Sequence, residues 1–279
     1  NEQNYIEEDE YQLVIERDLQ EKQIEKDDGS APYFTEYIRR KLEIIDEELD
    51  INLYKDGLVV HTTLDSRVQK ALEEAFNSGM RKNQKILNKE FLQDPIKLEE
   101  AIGFTQYDLD SARFILESND TIPISLRNQL LVQGAGIVLD PVHGHILGMI
   151  GGREEDIYRD HFNRATQAKR QPGSVFKPFI YLTALEQGYT TTTELLNQPL
   201  IVFIDDTTQW NPQNHDGSTG LLTTLREGLR RSLNLISVRV VQELIEPRDI
   251  IQNTKDFGLT TYIRAVDAIA LGVSEVYPL

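Results

Sequence analysis

Cysteine is absent from all 279 residues, tryptophan occurs once and methionine twice. The missing cysteines exclude a disulfide framework, a thiol nucleophile and any thiolate-bound metal, while leaving the compartment open. No apolar run approaches the ~18 residues that a membrane-spanning helix requires, and no signal peptide opens the chain. The sequence starts in polar residues and reads as an excised piece, so any anchor would belong to a longer parent. Basic charge is scarce as well: 29 Lys and Arg face 46 Asp and Glu, a net charge of −17. That sign argues against nucleic-acid binding, which would call for a basic patch, and no nucleic-acid partner is expected. The acidity is concentrated at the start. Seventeen acidic and six basic residues in the first fifty leave only −6 for the other 229. The acidic start reads as a solvated helical segment.

What is present describes a globular chain, with 39% hydrophobic and 27% charged residues and length for one large domain or two smaller ones. Residues 5–28 are helix-like, with Tyr11, Val14 and Ile15 as a narrow apolar stripe. After Gly29-Ser30, Ala31-Pro32 opens a second helix carrying Phe34, Tyr37, Ile38 and Leu42. Asp56-Gly57 between β-rich flanks predicts a hairpin. Asp65 is placed to cap SRVQKALEEAFNSGM, whose Val68, Ala71, Leu72, Ala75 and Phe76 share a face. Residues 88–125 are polar and helix-prone and read as an accessory insertion. From Gly134, GAGIVLDPVHGHILGMIGG predicts two apolar strands joined by a Pro/Gly turn, the start of a core sheet.

The chemistry centres on RQPGSVFKPF. Ser174 and Lys177 are three apart and share a helix face, so the amine can approach the hydroxyl. Serine is also a favoured helix-start residue, and the pair alone leaves both readings open. As a base Lys177 must be neutral, which desolvation inside a buried helix would promote. Downstream, Ser232-Leu233-Asn234 interrupts a helical run; Ser232 could relay a proton and Asn234 bond a substrate amide, or the cluster could be only a turn. The histidines offer less. Ser174 lacks the second glycine of a G-x-S-x-G elbow, so His61, His161 and His215 are not read as triad bases. His143 and His145 flank a turn glycine with no third ligand at a suggestive spacing, and no metal is assigned.

An S-x-x-K followed by S-x-N is the pattern of penicillin-binding proteins and serine β-lactamases. Here the chain resembles the class A penicillin-binding proteins over about four-fifths of its length, residues 88–125 being the main gap. RQPGSVFKPFIYLTALEQG resembles the family's active-site segment nearly residue for residue. WNPQNHDG with TTLREGLRRSLN resembles the approach to its second motif, and IALGVSEVYPL a segment just beyond. APYFTEYIRRKLE and LVVHTTLDSRVQKALEEAF resemble the region between the glycosyltransferase and transpeptidase modules; NYIEEDEYQLVIERDL resembles the end of the former.

The resemblance implies an α+β penicillin-binding protein/serine β-lactamase-like fold, an antiparallel sheet packed with helices. It divides the chain into 1–28, the end of a glycosyltransferase module; 29–125, a linker and accessory region; and 126–279, the transpeptidase domain. The implied activity is peptidoglycan cross-linking on stem peptides ending in D-Ala-D-Ala, with β-lactams as acylating ligands and no metal or organic cofactor. Ser174 would be the nucleophile, Lys177 its base, Ser232 the proton relay and Asn234 the substrate ligand. The parent would be extracytoplasmic and membrane-anchored through segments absent from this chain. Two alternatives are a carboxypeptidase or β-lactamase-like hydrolase using the same pair, and a non-catalytic scaffold. One departure stands out: the family's K-[ST]-G tripeptide occurs nowhere in these residues. That strand supplies half of the oxyanion hole, so this piece alone is expected to be inactive or impaired.

Overall fold

A computed structural model of the chain describes residues 31–49, 51–118, 122–153, 162–203 and 209–279. The helix expected over 5–28, the module end assigned to 1–28, and His161 lie outside them. Helix α1 (Pro32–Leu49) starts at the expected proline and buries Tyr33 and Phe34 at its first turn. The expected hairpin at Asp56-Gly57 does not form. Asn52 accepts from the amides of Lys55 (3.1 Å) and Asp56 (3.0 Å), and its own amide donates to the Asp56 carboxylate at 2.6 Å. The segment before Gly57 is thereby consumed in turn closure, which leaves no first arm for 58–62 to pair with.

Helix α2 (Ser66–Gln93) is capped by Asp65, whose side chain accepts from the Arg67 amide, as its sequence signals. It continues well past Met80, through Asn77-Ser78-Gly79, to 28 residues, roughly 42 Å. Its two halves face different partners. Near the N-terminus, buried Gln69 pairs its amide with the backbone of Met149, accepting at 2.8 Å and donating at 3.2 Å. Near the C-terminus, Phe91 and Leu92 join a separate helical cluster of Leu98, Ile102, Ala112, Leu116, Leu126 and Leu130. That cluster is built by α3 (Pro95–Ile102), α4 (Leu109–Ser118) and the short α5 (Arg127–Leu130). The helix-prone insertion is therefore a helical cap with its own small core.

Strands β1 (Gly136–Leu139) and β2 (Ile146–Ile150) form the predicted antiparallel hairpin. Helices α1 and α2 cover it. The second half of the chain is mainly helical: α6 (Lys177–Glu186), α7 (Leu225–Arg230), α8 (Asn234–Arg239) followed by a π turn, and α9 (Pro247–Asp256). Two short antiparallel ladders accompany them, β3 (Glu194–Leu196) with β6 (Leu222–Thr224) and β4 (Val202–Phe203) with β5 (Gln209–Trp210). The main core, with Phe176, Ile180, Tyr181, Leu233, Ile236 and Ile269, gathers around α6. Lys177, Ile180, Tyr181, Thr183 and Ala184 of α6 are buried, while Pro178 and Leu185 face solvent. Among the described residues no helix is long and apolar enough to cross a membrane.

Candidate active site

Pro172-Gly173 breaks the chain, and Gly173–Phe176 forms one 3-10 turn leading into α6. The Lys177 amide donates to the Ser174 carbonyl, closing an i to i+3 bond. In a 3-10 turn, residues three apart are eclipsed, so Ser174 and Lys177 stack on one side. Their environments differ sharply. Ser174 is exposed, whereas Lys177 is 0% exposed and heads the largest wholly buried side chains.

A buried ammonium requires acceptors for three donors. Lys177 Nζ donates to the Ser232 carbonyl at 2.7 Å, to Ser232 Oγ at 3.0 Å and to Asn234 Oδ1 at 2.8 Å. Burial pushes the amine down from 10.5 to about 8. The two motifs, 55 to 57 residues apart, thus meet at one nitrogen. Among the described residues, the Ser174 hydroxyl makes no side-chain hydrogen bond with Lys177 or with a histidine; His61 and His215 are exposed.

The second motif is also a turn. The Ser232 amide donates to Leu229 (3.0 Å) and the Leu233 amide to Gly228 (2.8 Å), the bond pair that ends a helix with a left-handed residue. Glycine is usual at that position; here Ser232 holds φ at +55°. Asn234 opens α8. Its Nδ2 donates to the Gln213 carbonyl at 2.8 Å, which fixes Oδ1 toward the lysine. Asn214 Oδ1 accepts from the Leu235 amide at 3.0 Å, so the WNPQNHDG loop holds the start of α8. A second brace grips the turn that carries Ser174. Arg170 and Val276 exchange two backbone bonds of 3.0 Å, and the Gly173 amide donates to Gly272 at 3.2 Å.

The family described as the penicillin binding protein transpeptidase domain matches residues 134–273. That span includes Ser174, Lys177, Ser232 and Asn234. The chain belongs to this family. Penicillin-binding protein 1A of Pseudomonas aeruginosa is 40% identical over 149 residues, covering 53% of this chain and 18% of that protein. Penicillin-binding protein 1A of Rickettsia bellii is 27% identical and covers 88% of this chain and 37% of its own length. The chain thus spans well under half of the relatives it matches. The solved structure of the penicillin-binding protein PonA1 from Mycobacterium tuberculosis superposes with a TM-score of 0.54 at 22% identity, covering 84% of this chain and 51% of that one. The expected α+β penicillin-binding fold is therefore present.

In this transpeptidase-family chain, sequence reasoning left out the braces. Gln213 and Asn214 lie in a stretch noted for resemblance, yet the bonds that the Gln213 carbonyl and the Asn214 side chain make to the start of α8 have no periodic signature. Gly272 could be suspected only from the IALG segment. A correction applies to the histidine pair: His143 and His145 do have a third potential ligand beside them. Asp140, three positions before His143, brings one oxygen to within 4.8 Å of both rings' ligand nitrogens.

Proposed function

We propose that this chain carries the acyl-transfer centre of a peptidoglycan cross-linking D-Ala-D-Ala transpeptidase, within a longer membrane-anchored, extracytoplasmic protein. The observation that carries the reading is the buried Lys177 amine, bonded at once to Ser232 Oγ and Asn234 Oδ1 beneath the turn of exposed Ser174. Ser174 Oγ attacks the penultimate D-Ala carbonyl while its proton passes to neutral Lys177. Desolvation that brings the amine to about 8 makes the neutral form accessible near neutral pH. Ser232 returns a proton to the departing D-Ala amine, leaving an ester on Ser174 that an amine of a neighbouring stem peptide then attacks. A β-lactam acylates the same oxygen by opening its ring.

Asn234 retains capacity for substrate. An amide oxygen accepts twice and an amide nitrogen donates twice, and each is engaged once here. We assign 126–279 to the transpeptidase domain, 29–125 to the linker and accessory region, and 1–28 to the end of a glycosyltransferase module. In the parent-length protein, Ser174→Ala is expected to abolish covalent labelling by fluorescent penicillin while the circular dichroism spectrum is unchanged. Labelling that survives would remove Ser174 from the role. Analysis of products from a stem-peptide substrate separates cross-linking from simple hydrolysis.

A further inference from the structure

The β1–β2 turn lies outside the acyl-transfer centre and carries two of the chain's five histidines. Its backbone is tightly closed: the Asp140 amide donates to the His145 carbonyl and the Gly144 amide to the Asp140 carbonyl, both at 2.8 Å. Gly144, at φ +71°, turns the chain so that the flanking side chains emerge on the same side. The two imidazoles stack with centroids 5.3 Å apart and planes 21° from parallel. Asp140 Oδ1 is occupied by the Val142 amide at 3.1 Å, while Oδ2 faces His143 Nδ1 at 2.5 Å. One ligand atom from each of the three residues falls within 4.8 Å of the others.

We propose that Asp140, His143 and His145 form a surface binding site for Zn2+. An ion pair would account for Asp140 and His143, but exposed pairs contribute little, and a pair leaves the neighbouring His145 ring unexplained. A cation accounts for all three. In a tetrahedral site with bonds of ~2.0–2.1 Å, ligand atoms lie roughly 3.3 Å apart, inside the 4.8 Å within which one ligand atom of each residue falls here. Small side-chain rotations on the fixed turn are enough to reach it. Two imidazoles and one carboxylate suit a borderline ion rather than Ca2+ or Mg2+, which take oxygen ligands. The Val142 amide on Oδ1 orients the carboxylate from behind, as second-shell partners of metal ligands do. Water completes the coordination on the open side.

The test is titration of the untagged full-length protein with ZnCl2 by calorimetry, supported by competition with a chromogenic chelator. One equivalent should bind, and His143→Ala, His145→Ala and Asp140→Asn should each weaken binding by ~10-fold or more. All three side chains project from a surface turn, and circular dichroism verifies that the variants fold. His61→Ala and His215→Ala should bind as the wild type does. Absence of Zn2+ binding overturns the proposal, as does binding that persists unchanged in the His143→Ala/His145→Ala double variant.

Discussion

Gly272 lies so close to Gly173 that a Cβ on it would sit 2.3 Å from the Gly173 carbonyl oxygen. Both glycines are left-handed, yet a Cβ on Gly173 would meet nothing within 4 Å. The contact makes Gly272 a positioning residue for the turn that presents Ser174. Gly173→Ala should cost only the left-handed penalty of ~1–2 kcal/mol. Gly272→Ala carries that penalty plus a backbone clash, and should cost ~2–4 kcal/mol and slow penicillin acylation. Thermal melts and labelling rates of the two variants check this; equal costs would show that the turn yields freely.

Ser232 predicts an unusual order of stabilities. Alanine and glycine both remove the hydroxyl from Lys177, but only glycine relieves the strain at φ +55°. After subtracting the extra freedom of the unfolded chain, Ser232→Gly should be more stable than Ser232→Ala by about 0.5–1 kcal/mol. Both should lose acylation alike. Urea unfolding is the measurement, and an alanine variant at least as stable as the glycine variant contradicts the strain.

Burial of Lys177 sets a pH dependence. The folded protein releases the amine's proton near 8, the unfolded chain near 10.5. Between those values the unfolded state holds the extra proton, so this group makes stability rise with pH across that window. Below about 8 both states are protonated and the burial penalty is full. Tyr181, pushed up to about 12 by burial, acts oppositely above 10. Wild type should therefore gain stability relative to Lys177→Met from pH 8 upward, and acylation should rise through an inflection near 8. A pH-independent difference between the two proteins would contradict the depressed amine.

Asn234 distinguishes a substrate ligand from a turn residue. Asn234→Ala should lower acylation efficiency roughly 10–100-fold. Asn234→Asp places a carboxylate beside Nζ, which favours the charged lysine and should move the acylation inflection upward by ~1–3 pH units. A lower melting temperature with unchanged kinetics would leave Asn234 only a structural task.

Local signals were the legible part of this chain. The Pro32 start, the Asp65 cap and the apolar arms around 136–150 each depend on neighbours in sequence, and the structure has them. So did the resemblance around Ser174 and Ser232, although only the fold shows both motifs meeting at one nitrogen. Illegible were features set by competing turn bonds or by distant backbone. Asp56-Gly57 carries a hairpin signature, but the Asn52 to Asp56 bonds take its first arm. Nothing local in SRVQKALEEAFNSGM signals that the helix runs on past Met80, where Gln84 bonds Leu130 and Val132 and holds α2 onward. Close approach of Gly272 to Gly173 leaves no trace in either local sequence.

The Asn77-Ser78-Gly79 tripeptide within α2 has a further consequence. Serine, asparagine and glycine together cost a helix on the order of 2 kcal/mol relative to alanine, and here they sit where α2 leaves one core and has yet to reach the other. A Cβ on Gly79 would meet no neighbouring atom within 4 Å, so a larger residue has room there. The rod is thus weakest at its middle, between two anchored ends. Amide exchange there should outpace both flanks, and the helical cap should open as a cooperative unit of its own while the hairpin side stays closed.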